Sequence, residues 1–253
     1  MNFYTPSEIA VQFCKAAQAK NALSNSKIWV FSVLGGAFIA LGGLLALAVV
    51  GGMPQVAATN PGITKLLFGT LFPLGLIMVV MGGARNFFGA LIVAYFFAHQ
   101  TGIFNSDPWH AAAVNISIHK VEHSFWVTFI KGVLANWLVC MAVWLGYAAK
   151  DVGGKALLLW FPVMGFVVLG MEHSVANMFF IPTSMLLGAP ISMYQFLVQN
   201  MLPATLGNIV GAVLFVALPY WYMFKDHVKA AQNLSTNGQV KITLKQQRSA
   251  SIN

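Results

Sequence analysis

Five long apolar runs decide what this chain can fold into: Ile28 to Met53, Leu66 to Ala84, Phe125 to Ala149, Ala156 to Met171 and Leu202 to Phe224. Several reach the roughly 20 residues that cross a hydrocarbon core as helix. Only 8% of the residues are charged, against 58% hydrophobic, too few to dress a water-facing surface. A transmembrane β-barrel is excluded, because its strands alternate polar and apolar residues. The expected fold class is therefore all-α integral membrane, with about six spans.

The net charge of +8 invites a nucleic-acid partner, but the placement of the lysines argues for a lipid bilayer instead. Lys15, Lys20 and Lys27 precede the first run, Lys225, Lys229, Lys241, Lys245 and Arg248 follow the last, and Lys150 and Lys155 bracket one short loop. Basic flanks of this kind stay in the cytoplasm, so both termini are expected inside and the number of crossings even. The expected division is a cytoplasmic amphipathic segment at 1–27, a membrane domain at 28–224 and a basic cytoplasmic tail at 225–253. Thr5-Pro6-Ser7-Glu8 reads as a capped helix start. That helix would lie on the inner membrane surface or pack on a neighbouring subunit. Cys14 and Cys140 imply no disulfide framework, and the first run reads as a retained span rather than a cleaved signal.

The chain resembles itself. Lys65-Leu66-Leu67 with Phe72-Pro73-Leu74-Gly75 is echoed by Lys155-Ala156-Leu157-Leu158 with Phe161-Pro162-Val163-Met164-Gly165. Asn86-Phe87-Phe88-Gly89-Ala90 is echoed by Asn208-Ile209-Val210-Gly211-Ala212. Two landmarks in one order indicate duplicated halves, and three spans per half make the repeat inverted, with a site at the interface. Yet the interval from Gly75 to Asn86 is shorter than that from Gly165 to Asn208 by about 30 residues. The expectation is that the natural chain carries a segment near 84–86 that this sequence lacks.

Ionisable residues inside spans are costly and mark function. Glu172 and His173 stand where a polar patch, running to Asn177, interrupts apolar helix, as in a broken membrane helix. A histidine there can hydrogen-bond an anion or give it a proton; the alternative is a bridge between helices. Glu172 should point about 100° away from it and tether the break. Asn136, Asn177 and Asn208 are either glue between helices or pore-side amides. Lys120, before the span opening at Phe125, is either a vestibule cation or a surface lysine paired with Glu122. Lys131 is placed to snorkel, and Arg85 has no assigned role. There is no P-loop, metal-spaced cluster or nucleophile elbow, so no cofactor, metal or enzyme activity is expected.

Glu172-His173-Ser174-Val175-Ala176-Asn177-Met178, Asn136-Trp137-Leu138-Val139-Cys140 and Leu202-Pro203-Ala204-Thr205-Leu206-Gly207-Asn208 together resemble the hallmark segments of formate/nitrite transporters. Gly62-Ile63-Thr64-Lys65 and His119-Lys120-Val121-Glu122-His123 fit as well. The resemblance implies an aquaporin-like six-helix inverted repeat with broken second and fifth helices. It also implies a homopentamer with one pore per subunit in a bacterial inner membrane, passing formate, nitrite or hydrosulfide; overall similarity leans to hydrosulfide. It makes His173 the central pore histidine, Lys120 the vestibule lysine, Asn136 and Asn177 polar neighbours of the pore, and Phe72, Leu76 and Phe166 the outer constriction. The family's Gly-Ala-Glu/Asp-Leu-Phe-Thr is not matched, since Gly83-Ala84 runs into Arg85-Asn86. An ammonium or neutral-gas channel is the alternative.

Overall fold

The structure is a computed structural model, and it describes residues 3–84 and 89–250. Every named element is a helix. In chain order they are α1 (Pro6–Asn21), α2 (Asn25–Gly51), α3 (Pro54–Thr59), α4 (Pro61–Leu71), α5 (Leu74–Met81), α6 (Gly89–Ile92), α7 (Trp109–Glu122), α8 (Phe125–Ala148), α9 (Val152–Val168), α10 (Ser174–Leu186), α11 (Leu202–Ala212) and α12 (Leu218–Ala250). Three π-helical stretches, Val93–His99, Gln195–Met201 and Val213–Ala217, continue α6, lead into α11 and join α11 to α12. Among the described residues, four helical stretches are long and apolar enough to cross a membrane: Asn25–Gly51, Pro61–Met81, Phe125–Ala148 and Gln195–Leu234. Gly89–His99, Val152–Val168 and Ser174–Leu186 are shorter apolar helices. This is a multi-pass membrane bundle.

The duplication read from the sequence is visible in the packing. Helix α2 lies against α5 and α6, as α8 lies against α9 and α11. Both contacts bring backbones together through glycine. A Cβ on Gly75 would sit 2.8 Å from Ile39 Cα, and one on Gly132 would sit 2.8 Å from Ala204 O. Small residues permit such approach where lipid supplies no hydrophobic drive.

Both halves also stop a helix in the same way. After α9, Gly170 takes φ +66°, and Met171 N–H reaches back to Phe166 O at 3.0 Å. After α5, Gly83 takes φ +71°, and Ala84 N–H reaches Val79 O at 3.0 Å. A residue with positive φ past the helix end is the glycine-favoured stop that satisfies the last carbonyls. Past this stop the halves part company. The second half proceeds through α10 before α11, whereas the described residues of the first half resume at α6, the counterpart of α11. Arg85 and the Asn86 landmark lie outside the described residues.

Helix α1 meets the last part of α8 and the first turns of α12 at one end of the bundle. Tyr4 N–H donates to Ala148 O at 2.9 Å, and α1 packs Ile9 and Ala10 against Trp144 of α8, with Tyr220 and Phe224 of α12 beside them. The expected cap is present, with Glu8 accepting from both the N–H and the hydroxyl of Thr5. Helix α1 thus rests on its own subunit's bundle, because its apolar stripe finds the aromatic end of α8 and α12. Asp151 caps α9 by accepting from Gly154 N–H at 2.7 Å.

Candidate functional site

The break between α9 and α10 is shorter than the polar patch implied. It spans residues 169–173, and Ser174 to Asn177 are already helical. His173 is the N-cap of α10, with φ −114° and ψ 118°. Glu172 and His173 diverge because successive side chains of extended backbone point to opposite sides, not by the helical 100° step expected.

Glu172 turns to a buried polar knot. Lys120 Nζ donates to both of its carboxylate oxygens, at 3.1 and 3.2 Å. Asn177 Nδ2 donates to Oε2 at 2.6 Å and to Asn200 Oδ1 at 2.7 Å, while Asn200 Nδ2 reaches Lys120 O at 2.9 Å. Glu172 is only 2% exposed, so the bonds its carboxylate accepts from Lys120 and Asn177 offset the cost of burying its charge. Lys120 is therefore a member of α7 paired with Glu172, not a surface partner of Glu122, which meets His119 at 3.5 Å instead.

His173 turns the other way. Among the described residues no side chain hydrogen-bonds its ring, whose recorded neighbour is the Phe166 ring at 5.9 Å between centroids. It borders two cavities. The larger, about 300 Å³, is lined by Thr64, Lys65, Phe68, Phe72, Lys120, Phe166 and Asn177 among others. The smaller, about 10 Å³, is walled by Ile39, Phe72, Leu76, Val139, Val163 and Phe166 and has room for about one water. Phe72, Phe166 and His173 line both cavities. The two phenyl rings meet edge to face at 6.1 Å, forming an aromatic septum with the imidazole beside it. Leu76 belongs to the small cavity alone.

The asparagines divide. Asn177 is on the wall of the large cavity, and both bonds from its Nδ2 are made within the knot, so of the two readings its amide hydrogens fit glue between elements. Asn136 is on the wall of neither cavity, and its Nδ2 donates to Asn208 O at 2.7 Å. Asn208 is glue: it accepts from Ser174 N–H and Oγ and donates to Gly132 O and Glu172 O, pinning α11 and α8 to the break. Two residues escaped the sequence reading. Asn200 sits in the π-helical stretch Gln195–Met201 and satisfies the rule that singled out the other asparagines, an amide inside an apolar run. Lys65, recorded there only as a landmark, stands on the wall of the large cavity. Among the described residues no group of His, Cys, Asp and Glu could hold a metal.

The sequence profile of the formate/nitrite transporter family matches residues 7–85 and 84–222, in two pieces that meet where the halves differ in length. A probable formate transporter of Methanothermobacter thermautotrophicus is 39% identical over 270 residues, covering 88% of this chain and 98% of the relative. A formate channel of Bacillus thuringiensis is 33% identical over 261 residues, covering 90% and 98%. Both alignments are longer than the 253-residue chain, so the relatives hold residues with no counterpart here. A solved pentameric formate channel with formate bound superposes with a TM-score of 0.71 at 29% identity, over 79% of this chain and 97% of that one. Its work is transport rather than catalysis, and the chain belongs to the formate/nitrite transporter family.

Proposed function

We propose that this chain forms a pore for formate and similarly small monovalent anions, one pore per subunit of a homopentamer, in a bacterial inner membrane with both termini cytoplasmic. The observation that carries the reading is His173, an imidazole with no hydrogen bond from a described side chain, bordering a cavity on each side of an aromatic septum. The named relatives are formate proteins, which moves the substrate reading from hydrosulfide to formate. In the large cavity an anion keeps much of its water beside Thr64, Lys65 and Lys120. To pass Phe72 and Phe166 it must shed water, which apolar constrictions resist. The N–H of His173 replaces one lost hydrogen bond there, so a small anion crosses and a large one does not. Glu172, Asn177 and Asn200 hold the break in shape, and Asn136 supports the same region through Asn208.

Phe166→Ala tests the septum. It is expected to raise entry of larger monovalent anions, such as lactate, severalfold relative to formate in vesicle flux assays. Unchanged discrimination would remove Phe166 from the selective element.

We further propose that the cellular protein continues between Ala84 and Asn86 through a first-half counterpart of α10, completing the wall opposite His173. The matching Gly83 and Gly170 stops, and alignments longer than the chain, support this. Intact mass spectrometry is expected to find a protein heavier than 27.4 kDa by about 3 kDa, the weight of the roughly 30 residues the repeat demands. A measured mass of 27.4 kDa would show a true deletion.

A further inference from the structure

The cavity that leads to His173 is walled by two lysines, Lys65 and Lys120, and they are not equivalent. Lys120 is bonded to both oxygens of the buried Glu172, so at a distance the pair carries no net charge. Lys65, in the second turn of α4, is exposed and has no carboxylate within salt-bridge distance among the described residues. All six acidic residues lie among the described ones, and the others are elsewhere: Glu8 at the start of α1, Asp107 bonded to Ala111 N–H, Glu122 beside His119, Asp151 capping α9 and Asp226 in α12.

A third cation, Lys131 of α8, is not on the wall of this cavity, but it feels the charges of Glu172, Lys120 and Lys65. Its ammonium meets His123 Nε2 at 2.7 Å. An ammonium has only hydrogens to give, so this imidazole nitrogen must accept and the ring must be neutral. Burial, then the charge of Lys131, holds His123 below the usual histidine range, which keeps the acceptor in place at neutral pH. Lys131 thus has a hydrogen-bond partner that cancels none of its charge. Glu122 is the carboxylate nearest in sequence, but it is 60% exposed and screened by water.

We infer that Lys65, seconded by Lys131, is the charge that gathers anions into the large cavity, whereas Lys120 is spent on holding Glu172. This rests on the anion-pore reading and assigns its collecting step. Uncompensated charge at a low-dielectric mouth raises the local concentration of the opposite ion and the rate of entry, and salt erases the gain.

The test is the initial rate of labelled formate entry into zwitterionic-lipid vesicles holding the full-length protein, with inert salt setting the ionic strength at about 0.01 M or about 1 M. Lys65→Gln is expected to slow entry roughly two- to fivefold at low ionic strength and hardly at all at high. Lys65→Arg should keep the parent rate, and the Lys65→Gln, Lys131→Gln double variant should fall further than either single one. A Lys65→Gln protein with the parent rate and salt dependence overturns the collector and leaves the pore standing. So does a loss that high salt fails to remove, which would mark a structural contact. A parent that conducts no formate overturns both.

Discussion

Formate flux through a His173→Ala protein is expected to fall roughly 10- to 100-fold, because among the described residues the imidazole is the one polar side chain bordering both cavities at the aromatic septum. A hydrogen bond to a charged group is worth about 1.5–3 kcal/mol, which is that range of rate if the bond forms only where the anion is driest. The fold should survive, since no described side chain hydrogen-bonds this ring, and solubilised protein should keep the parent's thermal midpoint. Vesicles loaded with equal amounts of each protein give the comparison. Parent-like flux from His173→Ala would remove this residue from the transport step.

The second large effect is on stability. Glu172→Ala is expected to destabilise the protein by about 3–5 kcal/mol, the usual cost of stripping one member from a buried ion pair. Lys120 would lose the partner at 3.1 Å, and the Asn177 and Asn200 amides would lose a shared acceptor. Thermal unfolding in detergent should show a midpoint lowered by roughly 10 °C. The Lys120→Met, Glu172→Leu double variant should recover much of this, because an apolar pair leaves no lone charge behind. A double variant whose loss equals the sum of the Lys120→Met and Glu172→Leu losses would mean that the pair is not coupled.

Much of the architecture was legible because bilayer and backbone impose it. Runs such as Ile28 to Met53 can be little but spans, and the Phe-Pro pair followed closely by glycine, at Phe72 and again at Phe161, exposed the duplication before any packing was visible. Glu172 and His173 were legible as the chemistry-bearing pair, since ionisable residues are rare in hydrocarbon. Their directions were not. Those depend on the local backbone, and an extended rather than helical residue at 173 is decided by the Gly170 stop, whose positive φ depends on its surroundings. Nor could the sequence tell which lysine keeps its charge. Lys120 and Glu172 are 52 positions apart and meet only because α7 folds back onto the break. The choice between glue and pore-side amide for Asn136 and Asn177 was illegible for the same reason, as their partners Asn208 and Asn200 come from elements remote in sequence.

This protein is expected to conduct a small anion rather than a cation or a neutral gas. Vesicles containing the intact protein should be exposed in turn to labelled formate and labelled methylammonium, with protein-free vesicles as reference. Formate should enter well above the reference while methylammonium stays at it. Methylammonium entry without formate entry would contradict the claim.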